Sequence, residues 1–156
     1  MDFAVRDIRP LIGSRIEIDK DALLSGRYAT QLRDLWEKRG VLVFPAANLT
    51  DEEQLKFART LGEPVEQQGS LIHKVTLDPK LNPKADYLRG TVLWHIDGFS
   101  DDLPARGTIL SGRRLSVVGG QTEFANTYAA YDALPEARKQ ALQNRREFTL
   151  TGTPVT

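Results

Sequence analysis

Thr91-Val92-Leu93-Trp94-His95-Ile96-Asp97 is the stretch on which the reading of this chain turns. β-Branched and aromatic residues fill it, and its apolar and polar positions alternate toward the end, so it reads as a strand. On a strand, residues i and i+2 share a face. His95 and Asp97 would then project together while Ile96 packs on the other side. An imidazole and a carboxylate on one rigid face supply two corners of the 2-His-1-carboxylate facial triad, which suits non-haem Fe(II) and leaves coordination positions open. A surface histidine beside an aspartate has the same spelling, so the pair alone does not fix the chemistry.

The flanking sequence alternates between strand and helix signals. Residues 11–18 carry Ile12, Ile16 and Ile18 at even spacing and predict a strand entered through Pro10. Residues 27–39 predict a helix with Ser25 as a cap near its start, Leu32, Leu35 and Trp36 on one face, and Gly40 as its stop. Val41 to Phe44 reads as a short buried strand. Thr50-Asp51-Glu52-Glu53 spells a capping box, and the helix behind it is expected to run to about Leu61 with Leu55, Ala58 and Leu61 inward. Strands are expected at 71–77, 91–97, 108–115 and 122–125, with a loop over 78–86 and a turn at Val118-Gly119-Gly120. A helix from Tyr128 to about Gln143 is interrupted or restarted at Pro135. Residues 148–156 alternate like the opening of a further strand. Helices among strands early and mainly strands later indicate an α+β architecture.

Composition narrows the function classes. With 156 residues the chain is one ordinary domain, long enough to bury roughly 70% of its unfolded surface. Lys plus Arg and Asp plus Glu are both 21, so the formal charge is zero and no footprint for nucleic acid or anionic membrane is present. Arg113-Arg114 and the basic residues Arg138, Lys139, Arg145 and Arg146 read as solvated faces. The absence of cysteine excludes disulfides, thiolate metal sites and a cysteine nucleophile. With only His73 and His95 present, a three-histidine site from this chain alone is excluded. The first residues lack the pattern of a secretory signal and no apolar run approaches the ~18 residues of a membrane span, so a cytoplasmic location is expected.

Around the His-x-Asp pair the sequence carries an ordered series: Trp94 before it, Pro104 and Thr108-Ile109-Leu110-Ser111 after it, then Gly119-Gly120-Gln121-Thr122-Glu123-Phe124 and Tyr128-Ala129-Ala130-Tyr131-Asp132-Ala133-Leu134-Pro135. Upstream stand Gly40-Val41-Leu42-Val43-Phe44, the Thr50 helix and Leu61-Gly62-Glu63. This series resembles the amino-terminal part of the taurine dioxygenase/TfdA (TauD/TfdA) family of Fe(II)- and 2-oxoglutarate-dependent dioxygenases, over residues 5–145. The resemblance implies a double-stranded β-helix (jelly-roll) core with flanking helices, present here incompletely in a single domain, 1–156. His95 and Asp97 match two metal ligands, and Thr122 matches the threonine that hydrogen-bonds a 2-oxoglutarate carboxylate. No catalytic residue beyond the ligands is implied. The implied reaction hydroxylates a small organic substrate while 2-oxoglutarate is converted to succinate and CO₂.

The chain also departs from the family pattern. Gln121 stands where the family usually has Asp. The third metal ligand, a distal His, and the Arg that pairs with 2-oxoglutarate have no counterpart here: no His follows His95, and His73, on Leu71-Ile72-His73, matches no family ligand. Gln67 stands where the taurine enzymes carry a sulfonate-binding His, which argues against a sulfonate substrate. Thr91 occupies a position where the family contacts substrate. Trp94 is expected in the core behind the metal strand, and Tyr128 and Tyr131 on the core face of their helix. Half a jelly roll leaves strand edges and an apolar face open, with Val118, Phe124, Phe148 and Leu150 as candidates for that face. Self-association or a complementary chain is therefore expected. The alternative is a catalytically inactive homologue serving as an interaction or structural module.

Overall fold

The computed structural model describes residues 3–66, 69–76, 78, 80, 94–98 and 101–145. Two compact units are present, one built from the described residues of 1–63 and 111–147, the other from those of 64–110.

The first unit opens with strand β1 (Ala4–Asp7) paired antiparallel to β2 (Ser14–Glu17), with Val5 opposite Ile16. Strand β3 (Leu42–Val43) joins β2 in parallel and completes a three-stranded mixed sheet in the order β1-β2-β3. The expected strand at 11–18 is shorter at both ends. Leu11 and Ile12 lie in a bend, and Gly13 at φ +80° turns the chain before pairing begins. The alternation of β2 is as its sequence requires: Ser14 and Ile16 are buried, Arg15 and Glu17 exposed.

Helix α1 (Lys20–Leu24) is held by Asp19, whose side chain accepts from the amides of Asp21 and Ala22. Helix α2 (Ala29–Arg39) starts at Tyr28 without a side-chain cap. Ser25, expected to cap it, instead closes α1, its hydroxyl donating to the Ala22 carbonyl. The correction is one of distance along the chain: Gly26, Arg27 and Tyr28 intervene before the first turn of α2. Gly40 ends α2 as expected, at φ +70° with its amide on the Trp36 carbonyl. Helix α3 (Asp51–Leu61) carries the complete capping box, with Thr50 Oγ1 accepting from the Glu53 amide and Glu53 Oε2 accepting from the Thr50 amide. Its most buried residue is Phe57, which meets Phe44 edge-on with ring centroids 5.4 Å apart, while Leu55, Ala58 and Leu61 are half-buried.

Together Phe3, Ile16, Leu23, Leu24, Tyr28, Leu32, Leu49 and Phe57 form the core. Beside them lies a buried cation. Arg39 Nε donates to Ser14 Oγ at 3.0 Å, and its two terminal nitrogens donate to the carbonyls of Pro10, Arg9 and Gly13. Asp7 faces the same guanidinium at 3.3 Å and accepts from Ser14 Oγ at 2.7 Å. The planar donor fork suits this task, because it can bond three carbonyls of the bend at once, those of Arg9 and Pro10 and that of Gly13, which also accepts from the Ile8 amide.

The later part of this unit is pinned by side chains rather than by a sheet. Ser111 Oγ bonds Gln54 Oε1 at 2.6 Å. Arg113 donates to the Leu49 carbonyl and to Asp51 Oδ1, the latter at 2.9 Å. Asn126 donates to the Leu11 carbonyl at 2.7 Å and accepts from the Ala129 amide, capping α4 (Thr127–Asp132). Pro135 separates α4 from α5 (Glu136–Leu142), so the helix expected over 128–143 is two.

Several expected strands do not form. Residues 71–76, 94–96, 108–115 and 122–125 are irregular or bent in their described parts, with only an isolated bridge at Ser70. A strand exists through its ladder, and an alternating segment without a paired neighbour has nothing to hold its pleat. The region of the expected turn, 117–120, bends, with Gly119 and Gly120 at φ +72° and +76°. Of the expected loop at 78–86, Asp78 and Lys80 are described and belong to neither helix nor strand. The mixed sheet and helices agree with an α+β class; among the described residues no double-stranded β-helix is seen.

Candidate metal centre

His95 and Asp97 belong to the unit built from residues 64–110. His95 Nε2 lies 3.3 Å from Asp97 Oδ1, with the two side chains 45% and 68% exposed. The expected convergence is present, but its cause differs from the expected one. Trp94 to Ile96 form no strand, and Asp97-Gly98 is a turn with Gly98 at φ +67°. An extended strand holds alternate residues about 7 Å apart along the chain. His95 lies in irregular backbone and Asp97 opens a turn, so the 3.3 Å approach is not that of a paired, pleated strand. The dipeptide Asp-Gly is itself a turn signal and marks where the strand reading of 91–97 should have stopped.

This pair fits a divalent cation. Two ligands at about 2.0–2.2 Å from one ion and at right angles to each other stand roughly 3 Å apart. The 3.3 Å between Nε2 and Oδ1 is close to that spacing. One imidazole nitrogen and one carboxylate oxygen are two of the three protein donors of the 2-His-1-carboxylate set that suits non-haem iron. Among the described residues no third His, Asp or Glu joins the pair to make a group of three, so His73 does not complete it. A second, long contact reaches the carboxylate: Thr108 Oγ1 donates to Asp97 Oδ2 at 3.4 Å, both side chains being exposed. Sequence reasoning treated Thr108 only as a β-former, and no spacing rule links it to Asp97 across 11 residues.

The other expected site residues fall elsewhere. Thr122 is exposed, in the irregular segment between the anchors Arg113 and Asn126 of the other unit. Gln67 and Thr91 lie outside the described residues. Trp94 is 69% exposed and does not pack into a core, because the irregular backbone around it forms no layer to cover it. Tyr128 and Tyr131 are likewise 83% and 50% exposed, on a helix of six residues too short to present a core face. Val118 and Phe124 are exposed as expected, at 85% and 54%. Phe148 and Leu150 lie outside the described residues.

Comparison with known proteins places these features in a family. Residues 4–149 match the family described as "Taurine catabolism dioxygenase TauD, TfdA family", and the chain belongs to it. It is 37% identical over 154 residues to the (S)-phenoxypropionate/alpha-ketoglutarate-dioxygenase of Sphingobium herbicidovorans, a match covering 91% of this chain and 53% of that protein. It is 30% identical over 165 residues to the alpha-ketoglutarate-dependent 2,4-dichlorophenoxyacetate dioxygenase of Cupriavidus pinatubonensis, covering 94% of this chain and 58% of the relative. Among solved structures, AAD-2 in complex with Mn(II) and N-oxalylglycine superposes with a TM-score of 0.72 at 29% identity, over 90% of this chain and 49% of that one. The chain spans about half the length of the curated relatives it matches. No helix among the described residues is long and apolar enough to cross a membrane.

Proposed function

We propose that this chain carries the metal- and 2-oxoglutarate-binding residues of an Fe(II)- and 2-oxoglutarate-dependent dioxygenase, within a jelly-roll domain of which 1–156 is a part. The observation that carries the reading is the His95–Asp97 pair, with Nε2 and Oδ1 3.3 Å apart in a chain of the TauD/TfdA family. His95 and Asp97 would hold the cation. Fe(II), when bound, supplies redox chemistry with O₂: the substrate gains a hydroxyl, and 2-oxoglutarate becomes succinate and CO₂. The Thr122 hydroxyl is assigned to donate to a carboxylate of the keto acid. N-oxalylglycine, seen with AAD-2, carries the same oxalyl and carboxylate ends as 2-oxoglutarate, which supports that class of co-substrate. The phenoxyalkanoate substrates named for two relatives support a small organic acid as substrate. Gln67 and Thr91 are assigned to contact it. A neutral amide at Gln67 offers no cation to a sulfonate.

A second reading applies to the 156 residues taken by themselves. Among the described residues no third ligand completes the metal site, and Leu115, Val117, Val118, Phe124 and Tyr128 are each more than half exposed. So many large apolar side chains left in water favour burial against another surface, so self-association or a complementary chain is expected to cover them. In that state the chain serves as an inactive interaction module.

Two measurements separate these readings. Anaerobic titration of the 156-residue chain with Fe(II) and 2-oxoglutarate tests for the visible band of the chelate. Little band and no succinate are expected from the chain alone. A strong band, with succinate formed in proportion to protein, would show a complete site and remove the second reading. Light scattering is expected to give a dimer or larger species; a monomer with a cooperative unfolding transition would overturn the association.

A further inference from the structure

We propose that Thr108 is a positioning residue for Asp97: by donating its hydroxyl hydrogen to Oδ2, it reserves Oδ1 for the cation shared with His95. This inference rests on the reading of His95 and Asp97 as metal ligands. The two carboxylate oxygens of Asp97 have different partners. Oδ1 faces His95 Nε2 at 3.3 Å, and Oδ2 faces Thr108 Oγ1 at 3.4 Å. An ionised carboxylate is acceptor-only, so the hydrogen between Oγ1 and Oδ2 belongs to the threonine. That direction is fixed by chemistry, not by an assumed rotamer of the hydroxyl.

The consequence concerns denticity. A carboxylate can hold a cation through one oxygen or both. With Oδ2 occupied by a donor, its electron density is drawn toward Thr108 and the carboxylate plane is set. Asp97 then binds through Oδ1 alone, on the His95 side. A one-oxygen carboxylate leaves a coordination position that a two-oxygen one would fill, and a site with open positions is what exogenous ligands require. Partners of metal-bound carboxylates act in this way generally, and their loss costs roughly 10–100-fold in metal affinity. Thr108 is exposed and its backbone belongs to no helix or strand, so its replacement should disturb little else.

The test is direct binding of Mn(II) to the full chain, followed by the loss of the free-ion electron paramagnetic resonance signal, with far-ultraviolet circular dichroism as the control for folding. Thr108→Val keeps the shape and removes the hydroxyl. Thr108→Ser keeps the hydroxyl and removes the methyl. Thr108→Val is expected to weaken Mn(II) by about 10-fold, and Thr108→Ser to stay within about 2-fold of the parent chain, as a hydroxyl-dependent contact requires. Parent-like affinity in Thr108→Val would overturn the positioning role and leave the metal reading standing. Equal weakening in both variants would also overturn it, since the hydroxyl would not be the agent. His95→Ala that binds Mn(II) as tightly as the parent chain would overturn the metal reading and the inference with it.

Discussion

Residues 3–61 close around Ile16, Leu32 and Phe57, whereas the described residues from Trp94 to Phe124 bury none of their large apolar side chains. Both stretches contain comparable signals: β-branched runs, aromatic residues and glycine turns. They differ in whether each element finds its partner nearby. The sheet β1-β2-β3 joins segments within the first 43 residues, and α1, α2 and α3 pack close by in sequence. Residues 111–126 have anchors instead, at Ser111, Arg113 and Asn126, and no ladder. Local order can be written into a short segment, but a strand's stability lies in its neighbour.

The largest test of this contrast is truncation of a core side chain in each region. Ile16→Ala is expected to lose about 3–5 kcal/mol, because it removes buried methyl groups from a site only 1% exposed. In the dissociated chain, at concentrations where light scattering gives a monomer, Val118→Ala, at a position 85% exposed, is expected to change stability by no more than about 0.5 kcal/mol. Urea unfolding of both variants measures the difference. Similar losses would mean that Val118 is covered in solution, and the contrast between the regions would fail as a property of the chain in water.

Arg39→Met probes the polar side of the same core and should cost about 2–3 kcal/mol. The methionine retains much of the volume but leaves the carbonyls of Arg9, Pro10 and Gly13 without the guanidinium. Amide exchange should locate the damage in the bend before β2. Loss confined to the end of α2 would contradict the role assigned to Arg39 in holding that bend.

Much of the compact region was legible because its signals are chemical and short-ranged. Thr50-Asp51-Glu52-Glu53 places acceptors beside the unpaired amides of one turn, and the capping box forms as spelled. Gly40 stops α2 because it takes a positive φ at low steric cost. What escaped has no such local mark. All four residues of β1 are exposed, so no alternation betrays it. Helix α1 has only five residues, fewer than two turns. Arg39 in the last turn of α2 looks like an ordinary cation at a helix end, and only the fold reveals that it is buried. At the candidate site the His-x-Asp spelling marked the pair, but not the turn at Asp97-Gly98 or the contact from Thr108 to Asp97. The latter is a contact across 11 residues that no periodicity encodes.

A smaller expected effect concerns the capping box. Thr50→Ala should cost about 1 kcal/mol, since the Glu53 amide loses its acceptor while the helix itself remains favourable. Thermal unfolding should shift downward without any change in the number of transitions. An unchanged midpoint would show that tertiary packing of Phe57 holds the start of α3 without help from its cap.

Acid titration should give the smallest effect and can show whether that helix end is held electrostatically. Lys20 Nζ donates to Glu53 Oε2 at 2.7 Å, and the Thr50 amide donates to the same oxygen at 2.8 Å. The bond from Lys20, followed by the one from the Thr50 backbone, lowers the Glu53 carboxyl below the ordinary glutamate range. Glu52 is lowered too, first by its backbone hydrogen bond and then by Thr50. A carboxyl lowered in the folded state stabilises it fully above the unfolded value and ceases to do so as pH falls through the folded one. The first turn of α3 should therefore be intact at neutral pH and fray below about pH 4, before the core around Ile16 opens. Glu52 is exposed and Glu53 half-buried, so salt should weaken the dependence, more for Glu52 than for Glu53. Amide exchange of Glu52 to Leu55 across this pH range measures it. Protection that stays level until the core opens and is then lost with it would show that α3 is held by the packing of Phe57, and that capping adds nothing measurable to the compact region.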